Sequence, residues 1–446
     1  MAFYTSYGAA GEVTGSCHFL HINHLNILID CGLFQGQEGD LNFEEFGFEP
    51  SEIDYLIVTH AHLDHIGRIP LLVKEGFSGT IITTQATYSI TKLMLANAAG
   101  ILESKPKALY NTNDIEPVFN LPKKFLECNN SMTIDDIKIT FKNAGHILGS
   151  VSVKLEFFED GIEKSVVFSG DIGQSQRIIT SPIEFWEKAN YVFVESTYGL
   201  SIHQDLDISI ESFKEQILET LKKGGTVVIP SFALERTQEI LYLLKQMSNE
   251  GLLEDIPVFL DAPLAINVTK TFTNYPELFN DDVKKVIKRG ENPFGFKELT
   301  TTATKEASQQ INNVKGSKII IAGSGMCEGG RVNYHLVRYL EDENSLALFV
   351  GYQVESTLGR KITAGNNTIK IMGTDINVKA KIGYVAGFSA HADQQELLEW
   401  IDEIKDIYCV YLIHGDKPQL EMLKEKVKGD LNEKAHIVKM NERIYI

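Results

Sequence analysis

The residues best suited to chemistry lie in one short segment, Thr59 to Gly67. Within it, His60, His62, Asp64 and His65 lie within six consecutive positions directly after an apolar, strand-like run. A turn there can direct the first two side chains one way and the last two the other. Neutral imidazole and carboxylate are ligands for zinc and related divalent ions. Three of only 12 histidines fall here, so the spacing favours a metal site over a histidine-rich surface loop.

One loop cannot fill two metal sites, so further ligands must come from elsewhere in the chain. His146 lies in a Gly-His-Ile-Leu-Gly-Ser segment, and Asp171 lies in Ser-Gly-Asp-Ile-Gly. Flanking glycines allow the backbone to come close to a crowded site. Taken alone, the two residues are typical of a capping or core histidine and a turn aspartate. After the histidine-rich loop, both are predicted ligands, and the carboxylate of Asp171 could bridge two ions roughly 3.5–4 Å apart.

The elements that must position these residues change in rhythm along the chain. The first third is rich in strand patterns, including a hairpin of Cys17–Ile22 and Leu25–Asp30, and from about 204 to 381 strands alternate with helices. Such alternation indicates βαβ units and a parallel sheet. Strand-turn patterns then return. We therefore predict a first segment 1–204, an inserted α/β domain 205–381 and a return segment 382–446. Several predicted strands end in polar residues, namely Asp30, His60, Asp171 and Glu195.

Composition excludes some classes of protein and leaves one conflict. The chain is 43% hydrophobic and 23% charged, as in ordinary globular proteins, and has no apolar run near the roughly 18–20 residues of a membrane span. Met1–Gly15 does not resemble a secretory signal, and five scattered cysteines without a C-x-x-C pair argue against disulfides. A cytoplasmic protein without a membrane partner is predicted. The net charge of -18 opposes nucleic-acid binding unless a local basic surface and metal ions offset it.

The order of the motifs along the chain resembles that of the metallo-β-lactamase superfamily. The His-x-His-x-Asp-His loop is followed by Gly-His and Gly-Asp, and the segments Gly15–His18 and Asp30–Gly32 resemble the superfamily's opening strands. Later motifs, at Glu195–Gly199, Gly387–Asp393 and Leu412–Asp416, resemble its β-CASP branch of nucleic-acid processing nucleases. The resemblance runs nearly end to end. It implies a four-layer αββα metallo-β-lactamase sandwich with an inserted α/β (β-CASP) domain.

Within that branch the chain looks most similar to RNA-cutting members, relatives of the endonuclease that cleaves pre-messenger RNA before polyadenylation. His414 supports this, since DNA-repair members lack a histidine at the last motif. The resemblance implies two Zn2+ ions, with Asp30 supporting the metal loop from behind the ligands. The first ion would be bound by His60, His62, His146 and Asp171, and the second by Asp64, His65, Asp171 and His414.

The implied reaction is hydrolysis of RNA phosphodiester bonds by a metal-bridged hydroxide, leaving 5′-phosphate and 3′-hydroxyl ends. The leaving 3′-oxygen needs a proton, and we assign the general acid to His391 with Glu195 as its partner. An alternative for His391 is a plain position at a helix N-terminus that Ser389 caps. Candidate substrate-binding residues are Ser389, Ser324, Arg331 and Arg360. The basic cluster near them, otherwise a solvated face, comprises Lys361, Lys370, Lys379 and Lys381.

Three alternative functions share parts of this pattern. A small-molecule metallohydrolase would share the metal loop without needing the inserted domain or His391 with Glu195. A DNA nuclease would share everything except His414, and a non-catalytic scaffold would be expected to lack ligands. Endonuclease versus 5′-exonuclease action, the RNA target, base preference and a possible homodimer stay open. The remaining histidines are predicted to be structural or on the surface: His18, His21, His24, His203, His335 and His436.

Overall fold

The computed structural model describes residues 1–354 and 356–446. The chain separates into a first unit, Met1–Ile202 with His391–Ile446, and a second unit, His203–Ala390. The first division lies two residues before the predicted boundary at 204, whereas the second lies nine residues after the predicted start at 382. The later position has a clear cause, because strand Lys381–Tyr384 pairs in parallel with Leu346–Phe349 and so extends the sheet of the second unit.

The first unit contains two seven-stranded sheets. Leu25–Ile29 and His18–Ile22 form the expected hairpin, which turns at Asn23 with a positive φ of 56° that asparagine tolerates. The first sheet has the order Arg443–Tyr445, Phe3–Ser6, His18–Ile22, Leu25–Ile29, Tyr55–Ile57, Thr80–Thr83 and Lys123–Phe125. The second has the order Ala435–Ile437, Cys409–Ile413, Tyr191–Glu195, Ile162–Phe168, Val151–Glu159, Ile137–Asn143 and Ser131–Ile134.

The two sheets pack face to face, with helices on their outer sides. Ile27 and Ile57 of the first sheet share a core with Phe168 of the second. Because side chains alternate along a strand, Leu28 points to the opposite face, and it is buried there as well. The outer face of the second sheet packs against Trp400. This confirms the four-layer αββα sandwich. Its helices are Leu63–Ile66, Ile69–Lys74, Gln85–Glu103, Ile115–Asn120, Gln394–Asp402 and Lys417–Asp430.

The second unit is built on a six-stranded parallel sheet, as the alternating pattern predicts. Parallel neighbours need crossover connections, and the helices between strands supply them. The strand order is Leu299–Thr301, Val258–Asp261, Lys318–Ala322, Thr226–Pro230, Leu346–Phe349 and Lys381–Tyr384, and Thr368–Ile371 with Thr374–Asn377 forms a separate hairpin. The helices are Leu206–Lys222, Arg236–Asn249, Pro263–Phe272, Asp281–Lys288, Lys305–Gln310, Val332–Tyr339 and Leu358–Thr363. Among the described residues, no helix is long and apolar enough to cross a membrane.

Candidate active site

The histidine-rich loop of the first unit follows the buried strand Tyr55–Ile57, and backbone hydrogen bonds from two other segments of the chain hold it in place. Ser16 N–H donates to the carbonyl oxygen of Asp64 at 2.8 Å, and Cys31 N–H donates to that of His65 at 2.8 Å. Gly32 packs so closely that a Cβ there would lie 1.5 Å from the Asp64 oxygen. Only glycine fits this close approach to the loop.

A first group of ligand atoms lies around one oxygen of Asp171. His60 Nε2 lies 3.4 Å from Asp171 Oδ2, and His146 Nε2 lies 3.6 Å from the same oxygen. His62 Nδ1 lies 3.0 Å from His146 Nε2. Each of these four side chains can offer one ligand atom, and these atoms all lie within 4.8 Å of one another. The structure therefore brings the first predicted ligand set together.

A second group lies around the other oxygen of the same carboxylate. His65 Nε2 is 3.2 Å from Asp171 Oδ1 and 3.3 Å from His414 Nε2. Asp64 Oδ2 is 3.6 Å from His414 Nε2. Asp171 thus presents Oδ2 to one group and Oδ1 to the other, which is the arrangement of a bridging carboxylate between two ions.

The donor atoms fit metal ions better than they fit one another. Among the described residues, His60 Nε2 and Asp171 Oδ1 are buried and have no hydrogen-bond partner. Ligands bound at about 2.0–2.1 Å in tetrahedral geometry are about 3.3–3.4 Å apart, which matches the separations of 3.2–3.6 Å around Asp171. Buried polar atoms without partners are costly unless a ligand satisfies them. The site therefore suits divalent cations.

Asp30 orients this centre without entering either group. Its Oδ2 accepts from His65 Nδ1 at 2.7 Å and from Thr59 Oγ1 at 2.7 Å, while its Oδ1 accepts from Thr59 N–H at 2.8 Å. A carboxylate at the far nitrogen fixes the ring and leaves Nε2 of His65 for a metal. Asp30 and His414 both have positive φ, 60° and 50°, a strained backbone that surrounding contacts must maintain.

The protonation behaviour of the histidines separates the groups. Burial lowers the pKa of His62 to about 3, with a further contribution from His60, and burial also lowers the pKa of His146. These rings are neutral, as metal ligands must be. Burial also lowers the pKa of His65, but Asp171 and Asp30 outweigh it and raise the pKa overall. Asp171 itself is kept ionised, because His414, His65 and His60 overcome the effect of burial on its pKa.

A different histidine, His391, lies beside the first group and pairs with Glu195. Its Nδ1 is 3.0 Å from Glu195 Oε1, and its ring centroid is 4.5 Å from that of His146. Glu195 also accepts from Ile172 N–H at 2.6 Å, next to Asp171. The Glu195 side chain is fully buried, whereas His391 keeps 20% of its side-chain surface exposed. Burial lowers the pKa of His391, but Glu195 more than compensates and raises it to about 9.

The predicted substrate-binding residues all lie in the second unit. Ser389 does not cap the following helix, because Asp393 does so in a capping box with Glu396. The alternative in which Ser389 simply caps that helix is therefore wrong. Ser324 has a buried hydroxyl without a partner among the described residues. Arg331 donates to Asp261 Oδ1 and to the carbonyl oxygen of Thr302, contacts that favour a structural role.

The basic cluster is less concentrated than the sequence suggests. Arg360 and Lys361 lie on helix Leu358–Thr363, and Lys370 lies on the separate hairpin. Lys379 is exposed. Lys381 pairs with Glu219 at 2.7 Å, so part of the cluster is engaged within the second unit.

Three contacts near the centre are not evident from sequence reasoning. Thr197 Oγ1 lies 3.2 Å from His414 Nδ1, so it can set the orientation of that ring. Arg177 donates to the carbonyl oxygen of His146 at 2.7 Å. Ser150 Oγ accepts from the N–H of His146 at 3.1 Å. Thr197 and Ser150 lie within motifs noted above, and that proximity is the one signal that could have found them.

Comparison with known families accounts for most of the chain. Residues 10–211 match the metallo-beta-lactamase superfamily, residues 237–362 match the Beta-Casp domain, and residues 375–438 match the Zn-dependent metallo-hydrolase RNA specificity domain. Ribonuclease TTHA0252 of Thermus thermophilus is 35% identical over 414 residues, which cover 93% of each chain. The chain belongs to the β-CASP family of RNA-processing nucleases. It is a hydrolase, and its fold is that of the metallo-β-lactamases with the β-CASP insertion.

Other relatives agree with this assignment to the β-CASP family. The RNase J-like protein of Methanocaldococcus jannaschii is 30% identical and covers 93% of this chain and 92% of its own length. Transcription termination factor FttA of Methanosarcina mazei is 32% identical over 93% of this chain and 67% of its own. A crystal structure of a protein of unknown function from Enterococcus faecalis V583 aligns over the full length of both chains, with a TM-score of 0.58 and 12% identity, a likeness in fold alone. Metallo-hydrolase families of this kind imply a divalent metal in the β-CASP protein, which the Asp171 geometry fits.

Proposed function

We propose that this β-CASP protein is a zinc-dependent ribonuclease with two ions at the Asp171 centre. The observation that carries the proposal is the division of the Asp171 carboxylate, with Oδ2 facing His60 and His146 and Oδ1 facing His65 and His414. Imidazole and carboxylate ligands suit zinc. RNA as the substrate is supported by the ribonucleases among the relatives and by the match to the RNA specificity domain.

The proposed ligand sets are those that the resemblance to the metallo-β-lactamase superfamily implies. His60, His62, His146 and Asp171 would hold one ion, and Asp64, His65, Asp171 and His414 the other. Bound there, the ions would lower the pKa of a water molecule and neutralise charge on the phosphoryl oxygens. Asp30 would hold His65 in the required tautomer.

The remaining chemistry belongs to His391 and Glu195. Nδ1 of His391 is directed at Glu195, so Nε2 is the nitrogen that would donate a proton. Glu195 favours the protonated ring and fixes its orientation, since its carboxylate is buried and held by Ile172 N–H. His391 would protonate the 3′-oxygen of the ribose as the phosphorus–oxygen bond breaks, leaving a 3′-hydroxyl and a 5′-phosphate. Such general acid catalysis contributes about 10²–10⁴-fold.

The second unit carries the residues that we propose for substrate binding. We propose Ser389, Ser324 and Arg360 as contacts to RNA phosphates. Arg331 joins them only if its guanidinium can leave Asp261, which its contacts disfavour.

The proposal is tested by incubating the purified protein with 5′-labelled and internally labelled RNA, with and without a chelator. We expect cleavage that the chelator abolishes and added zinc restores. Short 5′-labelled mononucleotides would indicate exonuclease action, and longer fragments would indicate internal cuts. Persistent cleavage in chelator, or cleavage of DNA and small esters in place of RNA, would contradict the proposal. His436→Ala is a matched control for His391→Ala. His436 also pairs with a glutamate, since its Nε2 lies 2.9 Å from Glu442 Oε1, and it belongs to neither ligand group.

A further inference from the structure

A surface pocket on the first unit combines aromatic rings with lysines. It has a volume of about 550 Å³ and lies between helix Gln85–Glu103, helix Ile115–Asn120 and the edge strand Lys123–Phe125. Along the long helix its lining recurs every four residues, at Tyr88, Lys92 and Ala96, so these residues share one helix face. The volume lies within the range of ligand sites.

The aromatic rings form a partly open platform. Tyr88 lies edge-on to Phe119, with ring centroids 5.4 Å apart, and edge-on to Phe125 at 5.3 Å. Phe125 keeps 41% of its surface exposed on the edge strand. An exposed aromatic ring beside a pocket offers a face on which a planar ligand can stack.

Lysine ammonium groups lie over two of these rings. Lys92 Nζ is 5.6 Å from the Phe119 centroid, and Lys123 Nζ is 5.2 Å from the Tyr88 centroid. Lys124 Nζ similarly lies 5.8 Å from the ring of Tyr55 on the neighbouring part of the sheet. Among residues 1–354 and 356–446, no carboxylate forms an ion pair with these three lysines. Their charge is therefore available to an anion, in a chain whose net charge is -18.

Local charge agrees with an anionic ligand. Residues 88–126 contain five lysines and three acidic residues, against the strongly acidic total of the chain. Glu116 is the one acid that lines the pocket, and it is exposed. Lys123 also donates to the carbonyl oxygen of Phe119 at 2.9 Å, which holds its ammonium group at the rim.

The long helix connects the pocket to the metal centre within the same unit. Thr84 caps the helix, and the hydroxyls of Thr84 and Thr87 both donate to the carbonyl oxygen of Gly149, three residues after His146. Tyr88 follows directly after Thr87. The pocket therefore begins one helical turn from the loop that carries His146.

We propose that this pocket binds single-stranded RNA at nucleotides outside the scissile bond, with a base against the Tyr88–Phe119–Phe125 platform and phosphates at Lys92 and Lys123. The combination of ring faces and unpaired cations is the one that single-stranded nucleic acid requires, because bases stack and phosphates need positive charge. This rests on the proposed ribonuclease function and supplies the local basic surface that the net charge demands.

The first test measures binding of a fluorescent, phosphorothioate-linked oligouridylate of about 16 nucleotides to the metal-loaded full chain. Lys92→Glu with Lys123→Glu should weaken binding about tenfold or more, and should reduce the slope of log affinity against log salt by about 1.4, at about 0.7 per lost phosphate contact. The control is Lys188→Glu with Lys434→Glu, which makes the same change of charge at two exposed lysines of the first unit outside the pocket. We expect the control to bind within about twofold of the unaltered protein.

The second test addresses stacking. Phe125→Leu should weaken binding about fivefold or more, whereas Phe125→Trp, which keeps a ring, should not. Photocrosslinking with 4-thiouridine RNA should label the peptide that contains Tyr88 or Phe125. If the chain neither binds nor cleaves RNA, the proposed function and this inference both fail. If it cleaves RNA but the double lysine variant binds like its control, or the crosslinks lie elsewhere, only this inference is overturned.

Discussion

Each unit of the molecule places an aspartate close after or at the end of a buried strand, but the two aspartates have opposite surroundings. Asp261, in the second unit, is completely surrounded by donors: His335 Nε2 at 2.7 Å, Arg331 at 2.7 Å, Thr302 Oγ1 at 2.7 Å and Ser308 Oγ at 2.6 Å. Asp171 faces imidazole nitrogens at 3.2–3.7 Å and has an oxygen without a hydrogen bond.

The difference shows how a structural carboxylate can be told from a ligand. A buried ion network is tolerated when every atom has a partner, as at Asp261. At Asp171 the facing nitrogens are too distant for good hydrogen bonds, and their spacing is that of atoms that share a cation. The two histidine–carboxylate pairs differ in the same way. The His335 side chain is 4% exposed, whereas the His391 side chain keeps 20% of its surface exposed, as its proposed contact with substrate requires.

The largest effect is expected from Asp171→Asn. The amide keeps the shape but loses the charge shared by both ligand groups, so zinc binding should fall and RNA cleavage should drop by more than the roughly 10²–10⁴-fold effect of losing a general acid. Zinc content by mass spectrometry and cleavage of labelled RNA check this. Full zinc content in the variant would show that Asp171 is not a metal ligand.

His391→Ala should lower RNA cleavage about 10²–10⁴-fold while zinc content stays unchanged. His391 is outside both ligand groups, and its proposed task is to donate a proton. An activated aryl phosphodiester, whose leaving group needs no proton, should lose much less. Equal losses on both substrates, or zinc loss, would show that His391 has a different role, and His436→Ala should resemble the unaltered protein throughout.

Asp261→Asn should leave zinc content unchanged and lower the free energy of unfolding by about 3–5 kcal/mol, because it leaves the partly buried guanidinium of Arg331 without its counter-charge. Urea denaturation followed by circular dichroism measures it. Burial raises the pKa of Asp261, but hydrogen bonds led by His335 outweigh burial and lower it to about 2. Its stabilisation is therefore complete above the ordinary pKa of about 3.9 and is lost as pH falls through about 2. The loss in the free energy of unfolding should be equal at pH 6 and pH 8. Loss of zinc in this variant would contradict the distinction between Asp261 and Asp171.

The smallest effect is expected from His335→Asn, since Arg331, Thr302 and Ser308 still satisfy Asp261. We expect a loss of about 1–3 kcal/mol in the free energy of unfolding. RNA cleavage should be unchanged when measured below the melting temperature. A loss of cleavage comparable to that of His391→Ala would contradict the view that the pair of His335 with Asp261 is structural and only the pair of His391 with Glu195 takes part in catalysis.

Much of the centre could be predicted because its proposed ligands either lie close together in the sequence or follow the end of a strand. The spacing of residues in the His60–His65 loop predicts a metal site, and the apolar residues before Asp30 and Glu195 predict strands. Parallel pairing of Tyr191–Glu195 with Cys409–Ile413 then brings the two strand ends together. The division of Asp171 between two groups is a matter of side-chain geometry that spacing cannot show.

Other features depend on contacts far apart in sequence. The hydrogen-bond partners of Asp261 lie between residues 302 and 335, far from it in the sequence. The sequence around Arg331 therefore does not show whether this residue has a structural role or contacts a phosphate. Strand Lys381–Tyr384 precedes the His391 motif, and only its pairing with Leu346–Phe349 assigns it to the second unit. The pocket at Tyr88 and Lys123 joins two segments whose individual patterns are those of an ordinary helix and edge strand.

The most direct test is a zinc titration of chelator-treated protein, with RNA cleavage as the readout and Asp261→Asn as a control. The two ligand groups around Asp171 should give activity that rises to a plateau at about two zinc ions per chain. The control should follow the same curve below its melting temperature, and Asp171→Asn should not recover. Full RNA cleavage without metal, or recovery of Asp171→Asn to the level of the unaltered protein, would contradict a two-metal centre divided by this carboxylate.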